Sequence, residues 1–102
     1  MNFFFEKQII INKNSTPNFI VTHEYKLPSS YKQKILKASI EGISKALDFV
    51  DIITYVAKAM NEFDGTDRWH CICGYRDSFN IIGPEEIGIA FNLGNFKFVV
   101  YK

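Results

Sequence analysis

Trp69-His70-Cys71-Ile72-Cys73-Gly74 is the stretch on which the reading of the fold turns. Before it, apolar residues recur at helical spacing; from Trp69 onward they alternate. A period of two predicts a strand whose successive side chains point to opposite faces. Cys71 and Cys73 then share one face, and His70 and Ile72 the other. Working forward, residues 69–76, 78–82, 87–93 and 96–101 read as strands. Gly83-Pro84 separates the second of these from the third, and Leu93-Gly94-Asn95 turns the third into the fourth as a hairpin.

Working backward, two helices precede the strands. The first begins near Pro28-Ser29-Ser30, where either serine can cap exposed amides. Leu36, Ile40, Ile43, Leu47 and Val50 fall at steps of four and three and form one helical stripe, widened by Tyr31, Ile35, Ala38 and Ala46. After a break near Phe49 and Val50, Asp51 is the expected N-cap of the second helix. Ile52, Val56, Ala59, Met60 and Phe63 make its apolar face, and Gly65 is placed to end it. Two helices covering one face of an antiparallel sheet give an α+β architecture. The other face, mixed and rich in small residues, is either solvated or an interface.

Residues 1–18 read as an N-terminal extension, partly ordered at most, and 19–102 as the domain. Ile9–Ile11 is a candidate short strand, residues 12–18 form a polar loop, and Phe19–Thr22 is a second strand candidate. Phe3, Phe4 and Phe5 either pack on the domain or dock elsewhere. Glu6 and Lys7 interrupt the apolar start and no small-residue cleavage site follows, so a signal peptide is not expected.

A chain of 102 residues is one domain near the lower end of domain size. With 47% hydrophobic and 16% aromatic residues, it is apolar for a small soluble monomer and points to an interface. A net charge of +1 argues against nucleic acid and against a charge-held membrane surface. No stretch approaches the roughly 20 apolar residues of a membrane helix, and two cysteines on one strand face are poorly placed to bond, which favours a reducing compartment.

Motifs for chemistry are sparse. His70, Cys71 and Cys73 are metal-capable, but alternation sends the histidine and the thiols to opposite faces, and only His23 remains as another histidine. A Cys–His nucleophilic pair fails for the same reason, because it needs hydrogen-bond reach. Glu85 and Glu86 read as a solvated turn. No glycine-rich phosphate loop is present. An enzyme, a metal and a cofactor are therefore not expected. The segment Ser78-Phe79-Asn80-Ile81-Ile82 lies between two turn regions, and if it projects it can pair with another chain.

The Trp69–Gly74 run, preceded by Asn61-Glu62-Phe63-Asp64, resembles the eight-kilodalton dynein light chains. So does Ile89-Ala90-Phe91-Asn92-Leu93-Gly94 followed by Phe96–Lys102. The resemblance spans about residues 28–102 and implies a strand-exchanged homodimer, cytoplasmic or axonemal and associated with microtubules. Ser78, Phe79, Asn80, Ile81 and Ile82 would cross to the partner's sheet, and Trp69, His70 and Ile72 would join them at the dimer interface. A client, such as a dynein intermediate or heavy chain, would add as a further strand in a groove. Ile81, Ile82, Gly83, Gly88, Ala90, Asn92, Lys97 and Val99 would form that groove. Several groove positions depart from the family. Ile82 and Gly83 stand where it has Thr and His, and Gly88, Ala90 and Asn92 where it has Phe, Tyr and Tyr; Ile53-Thr54 stands where it has a Glu-Lys pair. Few polar groups remain to read a client glutamine. An alternative is therefore a structural dimerisation subunit that does not capture the standard peptide motif.

Overall fold

The computed structural model describes residues 18–77 and 87–102. Six elements follow in order: β1 (Phe19–Tyr25), α1 (Ser29–Lys45), α2 (Phe49–Asp64), β2 (His70–Tyr75), β3 (Gly88–Leu93) and β4 (Phe96–Tyr101). The strands form one antiparallel sheet in the order β1-β3-β4-β2, with both helices against one face. The expected α+β architecture is the observed one. The strand expected at 78–82, the one at Ile9–Ile11 and the leader through residue 17 lie outside the described residues.

The core forms because alternation and helical periodicity meet on one side of the sheet. Ile89, Phe91 and Leu93 of β3 and Phe96, Phe98 and Val100 of β4 are fully buried there. Phe91 and Phe98 stack at 5.0 Å, and Phe19 meets Phe91 edge-on at 5.0 Å. Such ring pairs add to the stabilisation from buried apolar area. The β3–β4 hairpin closes with Gly94 at φ 60. This is the positive first position that a two-residue turn of the II′ kind requires.

The first helix is rotated from the expected stripe. Its inward residues are Ile35, Ala38, Ser39, Gly42 and Ile43, while Leu36 and Ile40 are half-buried. The helix ends at Lys45, so Leu47 and Val50 leave the stripe and are 87% and 64% exposed. Small residues explain the shift. Gly42 lets α2 approach, and the Tyr55 ring stands against the place where a Cβ would be. A stripe chosen for large apolar side chains overlooks a contact made by small ones. Ser39 satisfies its own hydroxyl by donating to the Ile35 carbonyl at 2.7 Å.

Both helix starts also differ from expectation. Pro28, without a side-chain cap bond, occupies the N-cap of α1, which places Ser29 and Ser30 in the first turn. The second helix is capped by Asp48, whose Oδ1 accepts from Asp51 N–H at 2.9 Å. Asp51 in turn accepts from Leu47 N–H at 2.9 Å. This reciprocal pairing resembles a capping box, and it draws Phe49 and Val50 into the helix rather than into a break. Gly65 ends α2 at φ 68, as its conformational freedom predicts.

Phe98 has no exposed surface. Phe98→Ala should lower the unfolding free energy by about 3–5 kcal/mol, seen in urea melts as a lower midpoint with an unchanged slope.

Candidate interaction surface at the edge of the sheet

Four groups meet where α2 runs into β2. Asp64, on the last turn of α2, accepts from the Tyr31 hydroxyl, from Trp69 Nε1 at 3.0 Å and from Lys102 Nζ at 2.6 Å. The Lys102 ammonium also lies 5.7 Å from the centre of the Trp69 ring. Trp69 N–H donates to Asn61 Oδ1 at 2.8 Å. One carboxylate thus joins the start of α1, the end of α2, the start of β2 and the last residue. These donors hold the Asp64 carboxyl down at about 2, because each favours the charged form.

That clasp fixes Trp69 inward. Trp69, expected at a dimer interface, is 2% exposed, belongs to the chain's own core and backs the cleft beside β2. The indole fills space between Tyr31 and Lys102. The next residues behave as strand alternation requires. Cys71 and Cys73 pair with Val100 and Phe98 and pack on the core, whereas His70 and Ile72 are exposed. Burial pushes both thiols well above the ordinary thiol range. With His70 on the other face, no imidazole activates them. Among the described residues, no three His, Cys, Asp or Glu side chains gather as a metal site would require.

β2 is an edge strand. It pairs through all six residues with β4 in regular register, and its other side has no strand partner among the described residues. The opposite edge, β1, is blunted by a register shift between Val21 and His23, where the Thr22 hydroxyl donates to the Ala90 carbonyl at 3.1 Å. Beside β2 runs a cleft of about 330 Å³. Ile53, Thr54 and Ala57 of α2 form one wall, and His70, Ile72 and Tyr101 the other. His70 lies against Tyr101 with ring centroids 5.3 Å apart.

Of the expected interface and groove residues, those that are described, Trp69 apart, share one sheet face: Ile72 stands beside Val99 and Val99 beside Ala90 in register. His70 and Ile72 stand at the open edge. Ser78, Phe79, Asn80, Ile81, Ile82 and Gly83 lie outside the described residues. Gly88, Ala90, Asn92 and Val99 occupy the sheet face away from the helices and are buried, with Lys97 half-buried beside them. Sequence reasoning gave Ala57 and Tyr101 no place in the interface or groove, and named Ile53 and Thr54 only as replacing a Glu-Lys pair. The three helix residues flank the buried row Ile52–Val56–Met60, so a one-residue offset from the core stripe was the available signal.

Two outcomes check this geometry. Asp64 titrates below its ordinary range, so its stabilisation is complete above the normal carboxylate value and is lost as pH falls toward about 2. Thermal melts from pH 5 to pH 2 should show a steeper loss in the wild type than in Asp64→Asn. Separately, a thiol reagent at mildly alkaline pH should leave Cys71 and Cys73 unmodified in the folded protein and label both after denaturation.

Neither a protein-family profile nor a curated protein matches the chain in sequence. Among solved structures, the dynein light chain-like domain of the Fasciola hepatica calcium binding protein FhCaBP2 matches it with a TM-score of 0.62. The match covers 88% of this chain and 95% of that one at 13% identity. At that identity the likeness is one of fold. Two helices on a four-stranded antiparallel sheet, arranged in this way, give the chain the dynein light chain-like fold.

Proposed function

We propose that the protein is a non-catalytic light-chain module. It pairs with a second copy along β2 and holds an extended segment of a dynein intermediate or heavy chain, or of another client, by strand addition. The open β2 edge carries this reading. It is regular in register, exposes His70 and Ile72, and borders a cleft. An unpaired edge is either blunted or used, and here the blunted edge is β1. Ser78–Ile82 follows β2 directly in the chain and is the segment proposed to cross to the partner's β2. Backbone pairing would supply affinity and the flanking pockets specificity. In this reading the protein works on microtubule-based dynein complexes, cytoplasmic or axonemal. No helix among the described residues is long and apolar enough to cross a membrane.

A second reading has its own support. Gly88, Ala90 and Asn92, the expected client-facing residues, are small and buried within the single chain. A subunit that dimerises without capturing the standard motif accounts for that. The two readings part in affinity capture from the source cell. A bound dynein chain with an extended segment supports the first, and a dimer recovered without such a client supports the second.

Sedimentation velocity at micromolar concentration and neutral pH should show a dimer. Ile72 is 39% exposed, so Ile72→Lys should leave the circular dichroism unchanged. It should weaken dimerisation by at least about tenfold, near 1.4 kcal/mol. A wild-type protein that sediments only as monomer overturns both readings.

A further inference from the structure

β1 is lightly held. Of its seven residues Phe19 is half-buried and the other six are exposed. The strand joins the sheet through its ladder with β3. Beyond the ladder, Phe19 meets the Phe91 ring edge-on, and the Thr22 hydroxyl donates to the Ala90 carbonyl. Lys32 Nζ of α1 lies 3.0 Å from Glu24 Oε2, but those side chains are 35% and 32% exposed, so the pair adds little.

The connection that lays β1 on its own sheet is short and strained. Lys26, Leu27 and Pro28 alone join the end of β1 to the start of α1. Lys26 sits at φ 51, and among the described residues no other non-glycine residue has a positive φ. There a Cβ crowds the backbone carbonyl, a conformation that glycine takes freely and lysine does not. The neighbouring residues are anchored. Leu27 packs on the core. Pro28 is the N-cap of α1, and its carbonyl accepts from Tyr31 N–H at 3.0 Å and Lys32 N–H at 3.1 Å. The change of chain direction therefore falls on Lys26.

We propose that β1 is an exchangeable strand. With Lys26 extended, it leaves its own β3 and takes the same place on the β3 of a second copy, which returns its own β1. The occupant is another β1 because the seat is specific to this strand. The register shift between Val21 and His23, the Phe19 ring on Phe91 and the Glu24–Lys32 pair must all be matched. An exchanged pair repeats each of those contacts and relieves both hinges, and strained short hinges favour such exchange. The entropy of association opposes it, so exchange grows with concentration. β1 and β2 are opposite edges of the sheet. The inference thus stands apart from pairing along β2 and holds whether or not the protein is a light chain. Where both operate, exchange links β2-paired dimers into larger assemblies.

The test uses the full chain, refolded at high concentration from a mixture of isotope-labelled and unlabelled copies. Cross-chain nuclear Overhauser contacts between the Phe19 and Phe91 rings are expected, and pairing along β2 does not create them. Lys26→Pro forbids the closed hinge, since proline holds φ at about −65°, and should raise the cross-chain fraction. Lys26→Gly relieves the strain and should lower it. In the Ile72→Lys background, where β2 pairing is weakened, sedimentation should show Lys26→Pro associating at least about tenfold more tightly than the Lys26 chain. Cross-chain contacts absent from both the wild type and Lys26→Pro overturn the proposal, and so does association that is equal for lysine, glycine and proline at position 26. Should Lys26→Pro not fold, equal cross-chain contact in the wild type and Lys26→Gly overturns it. A wild type whose association runs only through Phe19–Phe91 contacts supports exchange and overturns pairing along β2.

Discussion

Every residue of β3 is buried, those facing the helices and those facing away. That constraint organises the molecule. A sheet with two apolar faces needs a layer on each, and two helices supply only one. On the helix side, Phe91, Phe98 and their neighbours form a continuous core. On the other side the side chains shrink to Gly88, Ala90 and Asn92, which leaves a shallow trough rather than a second core. Small residues at the centre of a strand lower its own packing energy.

The second organising contact is the Asp64 carboxylate. Tyr31, Trp69 and Lys102 converge on it from α1, the start of β2 and the chain's last residue. A partly buried ion pair still loses hydration, a cost met only if its remaining hydrogen-bonding capacity is satisfied, and the tyrosine and indole donors satisfy it. The result is a fixed start for β2. With Trp69 locked inward, alternation leaves no freedom: the thiols face the core and His70 and Ile72 face out. The exposure of the β2 edge is thus set by a polar contact at one end of the strand. This also explains why the cysteines are unpromising for catalysis. The packing that orients the strand desolvates both sulfurs and disfavours their thiolates.

The two sheet edges have diverged in consequence. β1 carries a bulge and a side-chain bond to the neighbouring carbonyl, devices that discourage further pairing. β2 is regular and bordered by a cleft. A partner strand finds a flat ladder on that side only. The β2 edge and the second face differ in what they present: one backbone groups along an edge, the other small side chains at the sheet's centre.

How much of this was legible beforehand follows from the kind of signal involved. Period-two alternation from Trp69 onward placed the strands and sorted Cys71 and Cys73 from His70 and Ile72, because strand geometry alone dictates which side a residue takes. Gly65 and the turn at Gly94 were readable because positive φ is a local requirement that glycine meets. The face of α1 was read in part: Ile35, Ala38, Ile43 and Ala46 of the expected stripe are buried, while Ser39 and Gly42, too small or polar to signal a core, were missed. The capping of α2 by Asp48 rather than Asp51 was ambiguous for a similar reason: two aspartates three apart serve each other, and only the path of the chain decides which is outermost. Trp69 was expected at the dimer interface on resemblance; Asp64 is near it in sequence, but Tyr31 and Lys102 are distant and meet it only in the fold. By itself, then, the sequence determined which elements exist and which residues alternate across them, properties set by local sterics and spacing. Only the tertiary structure decided which edge is open and which face is covered, because both depend on contacts between segments that spacing along the chain does not encode.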